Sequence, residues 1–574
     1  MKKIFVKVLL IFTILVVVVG VFGQFYLDDI VENKLKRIIQ TQNDRMYDYK
    51  FAHVNLSVWT GDILISDLSI IPRKNSSDTS FYDQEEAPTV FELNLKEFKL
   101  EGLKVRELLL DGIIIISSIN LDNPLVTIYK RESSKENTGT KDLVSEIILP
   151  NFKSIEVGSI NMKNAKLDLY QIANDTVIAF SFDSLSYTIE NIFSTPEYFL
   201  NETYFEFDNM ELDLKNIKAH ALKDHDLGIT NAYFDMDSKE FKITGFHFKP
   251  LLDKFEFMKN SKYETDWMEV EIDTIIFKQL DLKKFQDLSA LYMDEIELVN
   301  PSVSIYRDKR LPDPPYKYKA LLSTAIRSLS TPFNIKRIQV LNGAVRYSEW
   351  GEVAVKPGTI TLKNLTANAT NITSDSLLLD YNDTLKFHCT ANFMDQSILS
   401  ADYSARINDK KDRFKINASL RNLNFIALNP LTEHLLNVKF TQGKLNYVNF
   451  WMNGNDVNSI GRLDIDYENL KNVQIILEKN ESKEKTSKKS KNHKRLYTLF
   501  ANTYILNDYN PDHKEYYQGR IRFQRLQNKF LINYIVKSLV TGLESSILPI
   551  LQSDFKDMRK EKQKKRNKAK KIKK

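Results

Sequence analysis

Apolar and polar residues alternate with a period of two along most of this chain. The segment Phe91 to Lys96 alternates Phe-Leu-Leu with Glu-Asn-Lys, and Val270 to Thr274 and Val303 to Ile305 follow the same rule. This period puts successive side chains on opposite faces of a strand and is typical of half-buried strands in an antiparallel sheet. The pattern predicts a mainly β protein.

The sequence contains an internal duplication. Ile119–Lys130 and Ile296–Arg307 are identical at seven of twelve positions and start 177 residues apart (296 minus 119). Pairs of segments elsewhere match in the same order at an offset of 177 or 178, among them Glu92–Lys96 with Glu269–Asp273, and Asn164-Ala165 with Asn342-Gly343. Such a constant offset indicates a repeated structural unit. We place the two β repeats at residues 48–230 and 231–405, followed by a C-terminal β region at 406–525.

Helical patterns are few. Lys141–Leu149 and Tyr318–Leu329 occupy equivalent places in the two repeats, which predicts many strands and one short helix in each. Near the C-terminus the period changes to four, which predicts an amphipathic helix within residues 526–551. Its apolar stripe consists of Leu531, Ile535, Leu539, Leu543 and Ile547.

A long sheet with one apolar face has to bury that face. Few helices are available to cover it, and no period of about 40 residues suggests a propeller. We therefore expect a long antiparallel sheet folded lengthwise into an elongated trough with an apolar lining. A stack of β-sandwiches with closed cores is the alternative, and periodicity does not decide between them.

The N-terminus resembles a membrane anchor. An apolar stretch from Ile4 to Phe22 is interrupted only by Lys7, whose side chain can extend to the membrane surface. Lysines precede the stretch and acids follow it, which places the rest of the chain outside the cytoplasm. We assign a transmembrane signal anchor to residues 1–25 and a juxtamembrane helix to 26–47. A signal peptide cleaved near Val21-Phe22-Gly23 is the alternative.

The net charge of +6 is concentrated at the C-terminus. Residues 556–574 contain twelve Lys or Arg and two acids, a net charge of +10, so the rest of the chain sums to −4. The body therefore lacks the charge of a nucleic-acid-binding protein. Residues 480–496 form a second basic segment, expected to be a solvated loop.

The polybasic tail, residues 552–574, has two interpretations. After an amphipathic helix it suits an anionic membrane surface, and we single out Lys564, Lys565, Arg566, Lys570 and Lys571 for that contact. Alternatively, the helix caps the sheet and the tail only keeps the chain soluble.

No pattern of catalytic residues is present. Cys389 is the only cysteine, so neither a disulfide framework nor a cysteine-based zinc site is possible. The histidines are scattered, and those at 220 and 225 lack the spacing of a helical ligand pair. His388 and Cys389 should point to opposite faces of a strand. We expect no enzyme, no metal and no cofactor.

Taken in order, the strand motifs resemble the AsmA-like proteins of bacteria with two membranes. The resemblance runs from the anchor to about residue 545 and rests on the order of several degenerate motifs. These are Gly61–Ile70, Leu109–Ile128, Asn342–Tyr347, Leu423–Leu431 and Gly461–Tyr467. The family implies a single-pass inner-membrane anchor and a periplasmic β-trough whose interior holds acyl chains.

The resemblance also implies a function. Phospholipid would be bound in the groove and moved between the inner and outer membranes, or the outer membrane would be maintained, with the inner membrane and other envelope proteins as partners. Several members of the family are much longer than this chain. Two alternatives therefore remain: a complete bridge across the periplasm, or a conduit that spans only part of it. Acyl chains would lie against inward-facing apolar residues, with head groups at the open seam. The predicted lining is Leu93, Leu95, Val126, Ile128, Ile272, Val303 and Ile305.

The competing hypothesis belongs to another class. A non-enzymatic envelope protein made of β-sandwiches could bind a protein or glycan partner. Closed cores would favour this second function.

Overall fold

The prediction of a mainly β chain is confirmed. The computed structural model describes residues 47–72, 89–131, 153–172, 176–200, 205–470, 474–475, 508–511 and 516–547, except positions 58, 223, 353, 355, 436 and 437. Strands hold 61% of the described residues and helices 15%. The chain divides into two compact units, which are described separately below. Unit 1 comprises residues 1–248 and 278–287, and unit 2 comprises residues 249–277 and 288–574.

Unit 1 is a sheet in which most neighbouring strands are antiparallel. Its strands are β1 (Tyr47–Lys50), β2 (His53–Ser57), β3 (Asp62–Pro72), β4 (Thr89–Glu101), β5 (Ile113–Asp122), β6 (Leu125–Arg131), β7 (Ser154–Ile172), β8 (Thr176–Ser194), β9 (Asn209–Leu222), β10 (His225–Asp235) and β11 (Glu240–Pro250), whose last two residues belong to unit 2. Its helices are α1 (Val105–Asp111), α2 (Pro196–Leu200) and α4 (Leu282–Leu288), whose last residue belongs to unit 2.

Hydrogen bonds link the strands of unit 1 from β3 to β10. Strand β3 pairs with β1 and β2 on one side and with β4 on the other. Strand β4 pairs with both β5 and β6, which in turn pair with β7. Strands β7 to β10 then follow as antiparallel neighbours.

Unit 2 contains most of the second repeat and the C-terminal strands, while residues 231–248 and 278–287 of that repeat belong to unit 1. Its strands are β12 (Asp266–Lys278), β13 (Leu291–Val299), β14 (Ser302–Asp308), β15 (Phe333–Trp350), β16 (Gly358–Thr373), β17 (Thr384–Phe393), β18 (Ser397–Arg406), β19 (Phe414–Asn424), β20 (Val438–Lys439), β21 (Lys444–Gly454), β22 (Asn458–Glu468), β23 (Gln474–Ile475) and β24 (Gly519–Gln524). Its helices are α3 (Lys254–Asn260), α5 (Leu322–Arg327), α6 (Ser376–Tyr381), a 3₁₀ turn (Phe425–Leu428), α7 (Asn429–Leu435) and α8 (Leu531–Ile547).

One continuous ladder runs through unit 2. Strand β12 pairs with β14, and β14 with β15. From β15 the antiparallel order is β16, β17, β18, β19, β21, β22 and β24. The short strands β20 and β23 pair separately.

Each repeat contains a parallel pairing, which the sequence did not predict. Strands β5 and β6 are parallel to β7, and β13 and β14 are parallel to β15. Parallel neighbours need a crossover connection and cannot be joined by a tight turn. Helix α5 lies in this connection of the second repeat, inside the predicted helix Tyr318–Leu329. Its predicted counterpart, Lys141–Leu149, falls outside the described residues.

The duplication is visible in the pairing registers. Thr89 faces Lys130 in the first repeat, and Asp266 faces Arg307 in the second, each 177 residues later. Left-handed backbone positions recur at equivalent places. The pairs are Gly61 and Lys239, Asp67 and Gly245, Gly102 and Gln279, Gly112 and Ser289, Asn123 and Asn300, and Asn164 and Asn342.

The repeated asparagines explain why the motifs look alike. Asn164 and Asn342 have φ of 52° and 55°, a region that asparagine tolerates better than most residues. Both lie where the pairing register shifts, next to Ala165 and Gly343 respectively. The motif therefore marks a β-bulge in each repeat.

The repeats contain more short helices than the one each that was predicted. Helices α1 and α4 occupy equivalent places, and so do α2 and α6. All four are seven residues or shorter, so no sustained apolar period reveals them.

Several predicted segments lie outside the described residues: the anchor at 1–25, the basic loop at 480–496 and the tail at 552–574. The same holds for the predicted helix at 26–47, except that Tyr47 begins strand β1. Among the residues that the structure does describe, no helix combines the length and apolar character needed to cross a membrane.

Candidate functional site

An apolar row crosses one face of the unit 2 sheet. Val270 on β12 faces Val303 on β14, which faces Val345 on β15. Val345 in turn faces Leu362 on β16. Directly opposed residues share a face of the sheet. We call this face, the one that carries Val270, the inner face of unit 2.

A second row lies beside the first and is partly open. Met268 faces Ile305, Ile305 faces Tyr347, and Tyr347 faces Ile360. The Met268 side chain is 37% exposed, and Val270, Val303 and Ile305 are half-buried. The inner face therefore presents apolar surface that a ligand can reach without the sheet opening.

A charged row lies beside the second apolar row: Asp266 faces Arg307, and Arg307 faces Glu349. Arg307, opposite Asp266, donates from Nε and from a terminal nitrogen to its two carboxylate oxygens over 2.6 and 2.7 Å. The carboxylate of Glu264 lies 3.5 Å from Arg307 and 3.6 Å from Lys529. Burial raises the pKa of Glu264, although the two cations oppose that shift. Beyond Met268 the inner face changes within two residues from apolar to charged.

The network continues on the neighbouring strand. Lys309 Nζ lies 2.5 Å from a carboxylate oxygen of Glu349. The Tyr347 hydroxyl donates to the other Glu349 oxygen over 2.6 Å, and burial, with Glu349 beside it, raises the pKa of Tyr347. Most charges in the network already have partners of the opposite sign.

Helix α8 covers another part of the inner face. The predicted C-terminal helix is present as Leu531–Ile547, but it does not bury its Leu and Ile stripe most deeply. The deeply buried residues are mostly small: Tyr534, Ser538, Gly542, Ser545 and Ser546.

The small residues let the helix backbone approach the sheet. Ser538 and Ser459 hydroxyl oxygens are 2.8 Å apart. A Cβ added at Gly519 would collide with the carbonyl oxygen of Gly542. The opposite side of the helix stays apolar and exposed, with Ile532 at 70%.

In unit 1 the corresponding face is a closed core. Leu93 faces Val126, and Leu95 faces Leu68, so the structure brings these predicted lining residues together. Leu93 and Leu95 belong to one cluster of buried side chains that spans the sheet, with Val126 packed against it. Ile128 is buried as well. A ligand could reach these residues only if the core opened.

The predicted lining therefore separates into two groups. Leu93, Leu95 and Ile128 are buried in unit 1 and Val126 is half-buried there, while Val303, Ile305 and Ile272 of unit 2 are half-buried. The tail lysines and arginine predicted to contact a membrane lie outside the described residues.

A polar pocket lies on the other face of the unit 2 sheet. It has a volume of about 530 Å³ and lies where β19, β21 and β22 meet the residues leading into β24. No local sequence pattern indicates this pocket, because its residues are spread over nearly 100 positions. The lining is Arg421, Asn422, Asn446, Tyr447, Asn449, Asp464, Tyr516 and Gln518.

The isolated histidine and cysteine do not form a pair. His388 Nδ1 lies 2.8 Å from Asp402 Oδ1, on exposed surface. Cys389 is half-buried, and burial raises the pKa of its thiol. Near the other histidines, His247 Nε2 lies 3.4 Å from Asp226, and His225 stacks on Phe248 with ring centres 4.8 Å apart. No cluster of three metal-ligating side chains occurs within the described ranges.

Comparison with known proteins gives no assignment. No protein-family model matches the chain, and no curated protein matches it significantly.

Proposed function

We propose that this protein binds phospholipid acyl chains along the inner face of its β-sheet. In this proposal it is an AsmA-like envelope protein, anchored in the inner membrane with its body in the periplasm, where the sheet is folded into an elongated trough. It contributes to lipid transport toward the outer membrane or to the integrity of that membrane. The observation that carries the proposal is the partly accessible apolar surface at Met268, Val270, Val303 and Ile305.

The layout of this surface suits an amphipathic ligand. The apolar rows can accept methylene groups, each contributing about 0.8 kcal/mol when removed from water. The paired charges of the Arg307 network beside the rows give the polar end of such a ligand a hydrophilic surface. Many weak contacts, with no residue carrying out chemistry, would let a chain slide along the face.

Because the core of unit 1 is closed, the proposed lipid-binding surface is restricted to unit 2. Acyl chains bind first to unit 2, because Leu93, Leu95 and Ile128 have almost no accessible surface. That core is also what a sandwich protein would show, so a glycan or protein partner is the second candidate function. The polar pocket on the other sheet face favours the glycan.

Photo-cross-linking tests the lipid proposal. A photoreactive amino acid would replace Met268, Val303 or, as outward-facing controls, Glu271 or Ser302, in the full-length protein expressed in a bacterium with two membranes. We expect labelled phospholipid to attach at the inner positions and not at the controls. Equal labelling at inner and outer positions, or none at the inner ones, would refute the proposal.

A further inference from the structure

The polar pocket lies on the face of the unit 2 sheet opposite the inner face, which we call the outer face, and it is the strongest unexplained site among the described residues. Tyr447 and Asn449 alternate with inward residues on β21, so both project from the outer face. Asn449 lies opposite Asp464 on β22, and Tyr447 lies opposite Arg421 on β19. The pocket floor is thus set by three hydrogen-bonded strands and does not depend on a single loop.

Two of its polar side chains are free to bind. Among the described residues, the Arg421 guanidinium and the Asn449 amide have no hydrogen-bond partner. Asp464 accepts a hydrogen bond from Gln518 over 2.6 Å, which orients the Gln518 amide at the rim. The free donors of Arg421 and the free donor and acceptor of Asn449 therefore converge on one cavity.

The charge of the pocket excludes several ligand classes. Arg421 is its single cation and Asp464 its single acid, so the lining is neutral overall. A phosphate or other anion would meet one guanidinium and a nearby carboxylate, whereas anion sites usually collect several donors without an acid. An apolar ligand would leave the Arg421 guanidinium and the Asn449 amide unpaired.

We propose that this pocket binds a neutral saccharide. Amide and carboxylate groups each offer two hydrogen-bonding atoms in one plane, which suits adjacent hydroxyl groups of a sugar ring. The rings of Tyr447 and Tyr516 add an apolar surface for its C–H face. A volume of about 530 Å³ is within the range of small-molecule sites. The sugar is either a free oligosaccharide or the head group of a glycolipid, and the experiment below distinguishes the two.

The test uses the full-length protein in detergent and an array of neutral glucose, mannose, galactose and N-acetylglucosamine oligomers. The strongest binder is then titrated by calorimetry. We expect Tyr447→Ala and Asn449→Ala to weaken its binding at least tenfold. Asn453→Ala, on the same strand and face but outside the pocket, should leave it unchanged.

Further arms identify the source of the sugar. The same saccharide on a lipid in phosphatidylcholine vesicles should bind at least as tightly as the free form, and a tenfold gain would identify a glycolipid head group. Arg421→Gln, a milder change, serves as a second variant if an alanine variant misfolds. Absence of binding to every saccharide, binding insensitive to the pocket variants, or displacement by inorganic phosphate would overturn the proposal.

This inference stands apart from the lipid proposal. The pocket and the inner face lie on opposite sides of the sheet, so loss of saccharide binding in Asn449→Ala should leave lipid cross-linking at Met268 intact.

Discussion

The amide of Asn342 donates a hydrogen bond to Asn300 Oδ1 over 2.8 Å, and both residues have left-handed backbone. Asn300 also donates to Asp273 over 2.8 Å, which connects the bulge of β15 and the β13–β14 junction to β12. Two conformationally unusual residues thus stabilise each other at the centre of the parallel pairing.

Replacing Asn300 should therefore weaken unit 2. Asn300→Ala would place alanine in the left-handed region and remove two hydrogen bonds, at a cost of about 1 to 3 kcal/mol. Asn300→Gly should recover part of this loss, since glycine adopts that backbone without strain. Urea denaturation measures the free energy of unfolding of each variant. The exposed Asn368 provides the control, and equal effects of Asn300→Ala and Asn368→Ala would contradict the argument.

A buried arginine gives the second prediction. The Arg525 side chain is 0% exposed and pairs with Asp456 and the carbonyl oxygen of Lys319. Arg525→Ala removes the cationic partner of Asp456, which keeps its hydrogen bonds from Tyr318 and Gln527, and should cost about 1.5 to 3 kcal/mol. The exposed Arg522 on β24 is the matched control, whose change to alanine should cost under about 0.5 kcal/mol. Chemical denaturation measures the free energy of unfolding of both variants, and equal losses in the two would contradict the prediction.

Asp308 predicts a pH dependence. Burial would raise its pKa, but hydrogen bonds from the Arg310 side chain and backbone outweigh burial and lower it. Because the folded-state pKa lies below the unfolded value of about 3.9, its stabilisation is complete above that pH and lost as the pH falls through the folded-state pKa. Asp308→Asn should thus destabilise the protein at pH 7 and much less near pH 2. Melting temperatures of the variant and the unchanged protein at the two pH values test this. A variant that lowers the melting temperature equally at pH 7 and near pH 2 would contradict the prediction.

The two sides of α8 should respond differently to mutation. Gly542→Leu would force a side chain against Leu463 and Ile521, since a Cβ there already lies 3.1 Å from each. We expect this variant to lose roughly 1 to 3 kcal/mol by overpacking. Ile532→Gln, on the exposed side, should retain stability. Thermal unfolding followed by circular dichroism compares them, and tolerance of Gly542→Leu would show that the helix does not pack closely.

The two repeats should differ in their tolerance of charge. Leu95→Asp buries a carboxylate in a closed core and should unfold unit 1. Ile272→Asp replaces a half-buried residue and should leave a folded protein that retains less phospholipid in native mass spectrometry. Outward-facing Ser302→Asp should change neither property. A folded Leu95→Asp variant would mean that the core of unit 1 opens readily.

The sequence predicted strands and duplication well, and strand direction poorly. Alternation between Phe91 and Lys96 depends on which face is buried, and this period is the same whether a neighbour is parallel or antiparallel. The repeated Asn164 and Asn342 showed that the copies match, but not that each marks a bulge. Pairing β5 and β6 with β7 depends on contacts about 41 residues apart (154 minus 113), which a local pattern does not contain.

The candidate sites were only partly predictable. Period-two spacing placed Leu93 and Val303 on inward faces, yet their difference in burial depends on what covers each face. The apolar period predicted helix α8, but not that Gly542 and Ser538 would be buried more deeply than Leu539 or Leu543, because small residues let the helix approach the sheet more closely. The polar pocket combines Arg421 with Gln518, and only folding brings them together.

Short strand β24 lies at the edge of the described part of the unit 2 sheet. Within the described part of the chain, β24 bonds to β22 alone and so leaves an edge of six residues. Arg520 and Arg522 project from its outer face, and charges on a short edge strand disfavour pairing with another molecule. Deleting β24 would expose β22, which is eleven residues long and carries the exposed Ile460. Such a truncation would replace a short, charged edge strand by a longer one with an exposed apolar residue, which favours aggregation.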